Sequence, residues 1–279
     1  YCGQKVTLKF IFKSDTYYGV GQASSPGLCI DDLEIYSNSE AVETFYDLVL
    51  DKPNKKITVT CPIVIENSLD LKNGNLYTSP DTLIIGENAN WTRENGMVYG
   101  NLSKQLGLGN QTFTYPLGTA CGYSPVEVTF YNITKKGAFN FNVLGLTPTY
   151  SEPTDENLKK YWRAINKGLV YDSVMMKLKY LSCDFNTHLI EKEDEYTMDW
   201  MYMQGSNVLA NLISRDTTGD GGYVTLTNKY RVSHHTFYAR KHYINPVIVK
   251  HPEDYIICPQ SSANFSVNVT GTPPFTYQW

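Results

Sequence analysis

Three acidic residues near the start of the chain, Asp15, Asp31 and Asp32, are the best candidates to hold a metal ion. The segment "CIDDLEIY" alternates as a strand does, which puts Asp31 on the face of Leu33 and Ile35. A carboxylate on an inward face needs a partner. A Ca2+ ion shared with Asp15 would supply one, and a hydrogen-bonded turn would supply another. A second acidic stretch, "RDTTGDGG", sets Asp216 and Asp220 before Gly221. An EF-hand loop would end on an acidic ligand where Thr227 stands, so a Gly-rich hairpin turn is the better account. "EKEDEY", from Glu191 to Tyr196, crowds like charges as solvated loops do. His234, His235 and His242 cluster in "SHHTFYARKH". Neighbours on a strand point to opposite faces, so His234 and His235 do not share one metal, and a structural or surface role is expected.

Enzyme signatures are missing. The sequence has no H-E-x-x-H, no G-x-S-x-G, no phosphate loop and no dinucleotide fingerprint, so no catalytic residue is assigned. A pocket joining an unpaired carboxylate with a histidine would reopen the question. The net charge of −4 and the lack of any basic stripe argue against a nucleic-acid partner. No apolar run approaches the roughly 18 residues of a membrane helix. Six N-x-S/T sequons, at Asn90, Asn101, Asn110, Asn132, Asn264 and Asn268, are candidate glycan acceptors. Six scattered cysteines without a C-x-x-C pair fit an oxidising, extracytoplasmic setting, with buried thiols as the alternative.

The elements that would carry these residues are strands. Tyrosine, threonine, asparagine and glycine are abundant, and alternation is the dominant period. "VTLKFIFK" and "CIDDLEIY" are two strands whose apolar faces lack partners in residues 1–38, as in the end of a larger domain. A polar linker is expected over 39–55. Next come short apolar pulses, Ile63/Ile65, Leu69/Leu71, Leu76 and Leu83/Ile85, with turn residues every six or seven positions. That rhythm predicts either tight hairpins or a few coils of a small β-roll. Longer strands follow up to residue 245, among them "SVMMKLKY" with Val174, Met176, Leu178 and Tyr180 on one face. "DENLKKYWRAI" is either a helix or a strand carrying Trp162 into the core. From 246 to 279 the chain restarts with the pattern of the first strands of an Ig-like sandwich, with Trp279 as its buried tryptophan. The expected class is all-β, with tandem β-sandwich/β-roll modules and a truncated Ig-like sandwich at the C-terminus.

Several passages carry a resemblance. "LKNGNLYTSPDTLIIGENANWT" with "MVYGNLSKQL", "FTYPLGTACGYSPVEVTF" with "KYWRAIN", and "HPEDYIICPQSSANFSVNVTGTPPFTYQW" resemble modules of large secreted surface proteins of Bacteroidota-type bacteria, many exported by the type IX pathway. Residues 1–38 are similar to the closing strands of a jelly-roll or MAM-like domain. The resemblance implies O-glycan acceptors in "DTL", "DSV" and "DTT", at Thr82, Ser173 and Thr217. It also implies a cell-surface or extracellular location and a window onto a longer polypeptide. Cys258 would then pair beyond Trp279, and Cys2 with Cys29 or upstream.

The expectation for function is a non-enzymatic segment of an adhesin or filament. Its partners would be other copies or modules of the same protein, surface polysaccharide, or host and cell-surface ligands. Turn tyrosines such as Tyr17, Tyr18 and Tyr123 are candidate contact residues, with packing as the commoner role of tyrosine in β-proteins. The alternative is a carbohydrate-binding accessory region of a secreted hydrolase.

Overall fold

The computed structural model of the chain describes residues 42–146, 157–185, 195–204, 206–217, 219–228, 232–242, 244–272 and 275–278. Its first four strands are β1 (Glu43–Thr58), β2 (Ile63–Ile85), β3 (Asn90–Arg93) and β4 (Met97–Leu106). All their mutual pairings are parallel: Glu43 lies beside Ile63, Ser68 beside Asn90, and Asn75 beside Met97. This pairing dictates the shape. A straight strand of β1's length would extend about 50 Å, yet the short connection from Thr58 to Ile63 reaches only about 18 Å. The end of β1 must therefore curl back beside its own start. Parallel neighbours 19 to 22 positions apart are successive coils of a β-roll, one of the two arrangements the apolar pulses allowed.

Each coil turns its pulses inward. Ile63, Ile65, Leu69, Leu71, Leu76, Leu83 and Ile85 are all buried, each contributing about 2 kcal/mol. The outward rows are polar and stack from coil to coil. Asn73 Nδ2 donates to Asp51 Oδ1 at 2.8 Å, and Asn95 Nδ2 donates to Asn73 Oδ1 at 3.2 Å. Thr92 Oγ1 donates to Asp70 Oδ1 at 2.9 Å. Asp47 accepts from Ser68 Oγ and from Asn67 Nδ2, which holds its carboxyl below the usual range. Gly74 turns a corner at φ +91°, where a Cβ would stand 2.4 Å from the Lys52 carbonyl oxygen. Only glycine fits there.

The coils continue into a sandwich. The strands that follow are β5 (Gly109–Tyr115), β6 (Gly118–Thr119), β7 (Gly122–Tyr123), β8 (Val126–Ile133), β9 (Gly137–Leu144), β10 (Asn157–Lys167), β11 (Ser173–Tyr180), β12 (Asp199–Gln204), β13 (Ser206–Leu209), β14 (Asn211–Asp216), β15 (Gly222–Asn228) and β16 (His234–Arg240), of which β6 and β7 pair only with each other. One sheet runs β1-β2-β4-β9-β10-β16-β12-β13, with β3 attached to β2, and the other runs β14-β15-β11-β8-β5. The rings of Phe130 and Phe139, Tyr115 and Phe141, and Tyr180 and Trp200 meet across the two sheets at 5.0, 5.3 and 5.5 Å. A single apolar cluster runs from Leu50 through the coils to Ala239. In β11 the inward set is Val174, Met176, Leu178 and Tyr180, as the alternation predicts.

Three expectations are resolved or corrected. The stretch 39–55 is not a linker where it is described: from Glu43 onward it forms β1, because Leu50 is buried and Phe45 and Leu48 pack on the core. "DENLKKYWRAI" is strand from Asn157, with Trp162 fully buried between neighbours β9 and β16. Glu195 of "EKEDEY" is buried and hydrogen-bonded to Tyr180 rather than solvated; Glu191–Asp194 lie outside the described residues.

In the C-terminal segment, β17 (Val247–Lys250) and β18 (Asn268–Thr270) pair antiparallel. Residues 275–278 are not in a strand, and Trp279 lies outside the described residues.

Candidate functional site

The coils create a groove along one side of the roll. Tyr77 and Tyr99 occupy the same position on successive coils, and the parallel register pairs them directly. Their rings stack 4.6 Å apart at an interplanar angle of 17°. Lys56, one coil earlier, places its ammonium 4.4 Å from the Tyr77 ring centre. The Tyr99 hydroxyl donates to the Thr119 carbonyl at 3.0 Å, and burial, with Tyr77 beside it, raises its pKa. The backbone beneath is pinned by buried Thr78, whose Oγ1 donates to the Asn101 carbonyl at 2.9 Å. Gly100 has φ +112°, and a Cβ there would lie 2.8 Å from both Ser79 N and Thr78 Oγ1. The close approach of the coils at this point requires glycine.

The opposite wall is the end of β9. Asn142 Nδ2 donates to Asn101 Oδ1 at 3.0 Å, while Asn101 Nδ2 donates to the Pro80 and Asp81 carbonyls at 3.2 and 3.0 Å. Thr58, Ser79, Leu144 and Leu146 complete a groove of about 280 Å³. Among the described residues its lining has hydroxyls, one amide and one ammonium, and no carboxylate, histidine or cysteine. Such groups can hold a polyhydroxylated ligand by hydrogen bonds.

The residues singled out in the sequence are elsewhere. Asp15, Asp31, Asp32, Tyr17, Tyr18, Cys2 and Cys29 lie outside the described residues. Asp216 and Asp220 flank the connection between antiparallel β14 and β15, a hairpin in which Asp220 Oδ1 accepts from Ser182 N at 3.2 Å. His234 is exposed and His235 buried, on opposite faces of β16. Burial lowers the His235 pKa. His242 Nδ1 sits 2.8 Å from Asp199 Oδ1, and Arg240 shares that carboxylate, as in a partly exposed ion-pair cluster. Tyr123 lies beneath the Arg93 guanidinium, 3.8 Å from its ring centre, so packing engages it.

Among the sequons, Asn90, Asn110, Asn132, Asn264 and Asn268 are exposed. Asn101 is different: both hydrogens of its amide are engaged, and Ser103 of its sequon is buried. Thr82, Ser173 and Thr217 are half-buried, and Thr217 Oγ1 shares a hydrogen bond with the Tyr196 hydroxyl. A disulfide joins Cys121 to Cys183, while Cys61 is a buried thiol and Cys258 an exposed one.

Sequence reasoning missed the groove. The signal that would have found it is the coil spacing itself: Tyr77 and Tyr99 are 22 positions apart, like Asn73 and Asn95. Among the described residues no helix is long and apolar enough to cross a membrane. No family model, curated protein or solved structure matches the chain.

Proposed function

We propose that this chain is a non-enzymatic binding segment of a large extracellular surface protein of the adhesin type, and that the groove beside Tyr77 and Tyr99 contacts a surface polysaccharide. The observation that carries this reading is the tyrosine stack, held rigid by coil-to-coil pairing, with the Thr58 and Ser79 hydroxyls on the same coils and the Asn142 amide on the opposite wall. Tyr77 has one ring face against Tyr99 and the other beneath Lys56, so a ligand meets its phenol edge, the Ser79 and Thr58 hydroxyls, and Asn142. That is recognition by hydrogen bonds to a polyol, with rigidity limiting the ordering cost. Single grooves of this size bind weakly, and repeated copies on a surface supply avidity. An accessory region of a secreted hydrolase would use the same groove, and differs only in what the remaining polypeptide carries.

The test is titration of the chain with a panel of soluble oligosaccharides (hexamers of β-1,4-linked glucose, β-1,4-linked N-acetylglucosamine and α-linked mannose, and one uronate oligomer) followed by tyrosine fluorescence and calorimetry. Saturable binding that weakens at least tenfold in Tyr77→Ala and Asn142→Ala is expected. Absence of binding across the panel, or binding indifferent to both substitutions, overturns the polysaccharide reading.

A further inference from the structure

Lysine is rarely found fully buried, yet Lys160 in the middle of β10 is. Its only charged hydrogen-bond partner among the described residues is Asp184, on the 3-10 turn Ser182–Phe185, and that carboxylate is equally inaccessible. Lys160 Nζ donates to Asp184 Oδ2 and to Ser124 Oγ, the latter at 2.8 Å. Asp184 Oδ2 also accepts from Leu181 N at 2.7 Å, whereas Asp184 Oδ1 has no hydrogen-bond partner among the described residues. Leu181, just before the turn, and Phe185, at its end, are buried as well.

A buried ion pair of this kind is costly, because desolvation of both ions competes with their attraction. A half-satisfied carboxylate makes it costlier. Condensation removes both charges and the orphaned oxygen together. We propose that Lys160 and Asp184 are joined by an intramolecular isopeptide bond, which ties β10 covalently to the turn after β11.

The reaction balances without any outside reagent. One proton passes from Nζ to the carboxylate, which leaves an amine and a carboxylic acid. The Nζ lone pair attacks Cγ, the new C–N bond forms, and the tetrahedral centre collapses with cleavage of the Cγ–Oδ1 bond. Oδ1 leaves as water with two of the three ammonium protons, and the third stays on the amide nitrogen. Oδ2, held by Leu181 N–H, becomes the amide oxygen. Burial, acting against the pull of the partner charge, lowers the pKa of Lys160 and raises that of Asp184, both toward the neutral forms that the reaction consumes. Fixed contact replaces a bimolecular encounter, which is the main advantage the fold supplies. Cys183, joined to Cys121, is the neighbour of Asp184, so the two cross-links would secure the same turn to β10 and to the β6–β7 loop.

Intact mass measured on the denatured, reduced chain decides the matter. A mass ~18 Da, one water, below the sequence mass is expected. After proteolysis, the peptide containing Lys160 should appear joined to the one containing Asp184. Lys160→Arg and Asp184→Ala should each return the mass to that of their own sequence. These readouts are taken on unfolded chains, and the wild-type mass is decisive even if a variant folds poorly. A wild-type mass equal to the sequence mass, or a water loss mapped to any other residue pair, overturns the proposal.

Discussion

Lys104 and Ala89 meet at a corner of the roll: Lys104 Nζ, on β4, donates to the Ala89 carbonyl at 2.9 Å and to the Gly86 and Glu87 carbonyls at 2.6 and 3.0 Å. One side chain from the third coil thus satisfies the backbone that turns the second coil into β3. Burial lowers the Lys104 pKa to about 8, with Glu87 pulling the other way.

Lys104→Met should cost about 1–3 kcal/mol at pH 7, because three inward carbonyls lose their donor. The pH dependence has a definite sign. A lysine whose folded pKa lies below its unfolded value of 10.5 leaves the unfolded chain holding more protons across the interval. The part of its stability that is linked to ionisation therefore rises with pH from about 8 to 10.5 and is absent below about 8, where the hydrogen bonds to the three carbonyls remain. Urea unfolding at pH 7.5 and 9.5 should show that rise in the wild type and not in the variant. Equal slopes would sink the assignment.

Tyrosines set the alkaline limit. Tyr115 is fully buried, with its hydroxyl donating to the Phe139 carbonyl at 2.9 Å. Burial holds its pKa well above 10, and Tyr180 is raised by burial and by Glu195. An acid whose folded pKa is raised stabilises fully below its unfolded pKa and loses that contribution as pH rises beyond it. Absorbance at the phenolate band should show these tyrosines ionising only together with loss of the strand signal in circular dichroism, at pH above about 10. Smooth ionisation with an intact fold would contradict their burial.

The Cys121–Cys183 disulfide closes a loop with a sequence separation of 62. Chain-entropy arithmetic puts its effect at about 4 kcal/mol. Replacing both cysteines by serine should lower the melting temperature by several degrees, whereas Cys258→Ser, at an exposed thiol, should leave it unchanged. Comparing the melts of the two variants checks this.

At the groove, Tyr99→Phe removes only the hydroxyl bond to Thr119 and should cost about 1 kcal/mol. Tyr99→Ala also removes the stack on Tyr77, adding about 0.5–1.5 kcal/mol beyond the buried area. Denaturant midpoints of the two variants separate these contributions. Near-identical midpoints would mean that the stack contributes nothing to holding the coils together.

The sequence by itself determined the class and most of the strands. Alternation in "SVMMKLKY" reads directly into the buried face of β11, since a period of two needs no knowledge of the partner strand. The short pulses from Ile63 to Ile85 already implied an inward row with turns between, and His234 and His235 separated onto two faces for the same local reason. Tertiary structure decided the rest. "NLKKYWRAI" has apolar residues compatible with helix or strand, and the pairing of β10 between β9 and β16 selects strand. Residues 43–55 are polar enough to pass for a linker, because one coil is judged apolar only once the next coil stacks beside it. The groove needs Tyr77, Tyr99 and Asn142 together, and the Lys160–Asp184 contact joins residues 24 positions apart. Such sites depend on parallel register and sheet order, which are set by long-range pairing rather than by any local run of residues.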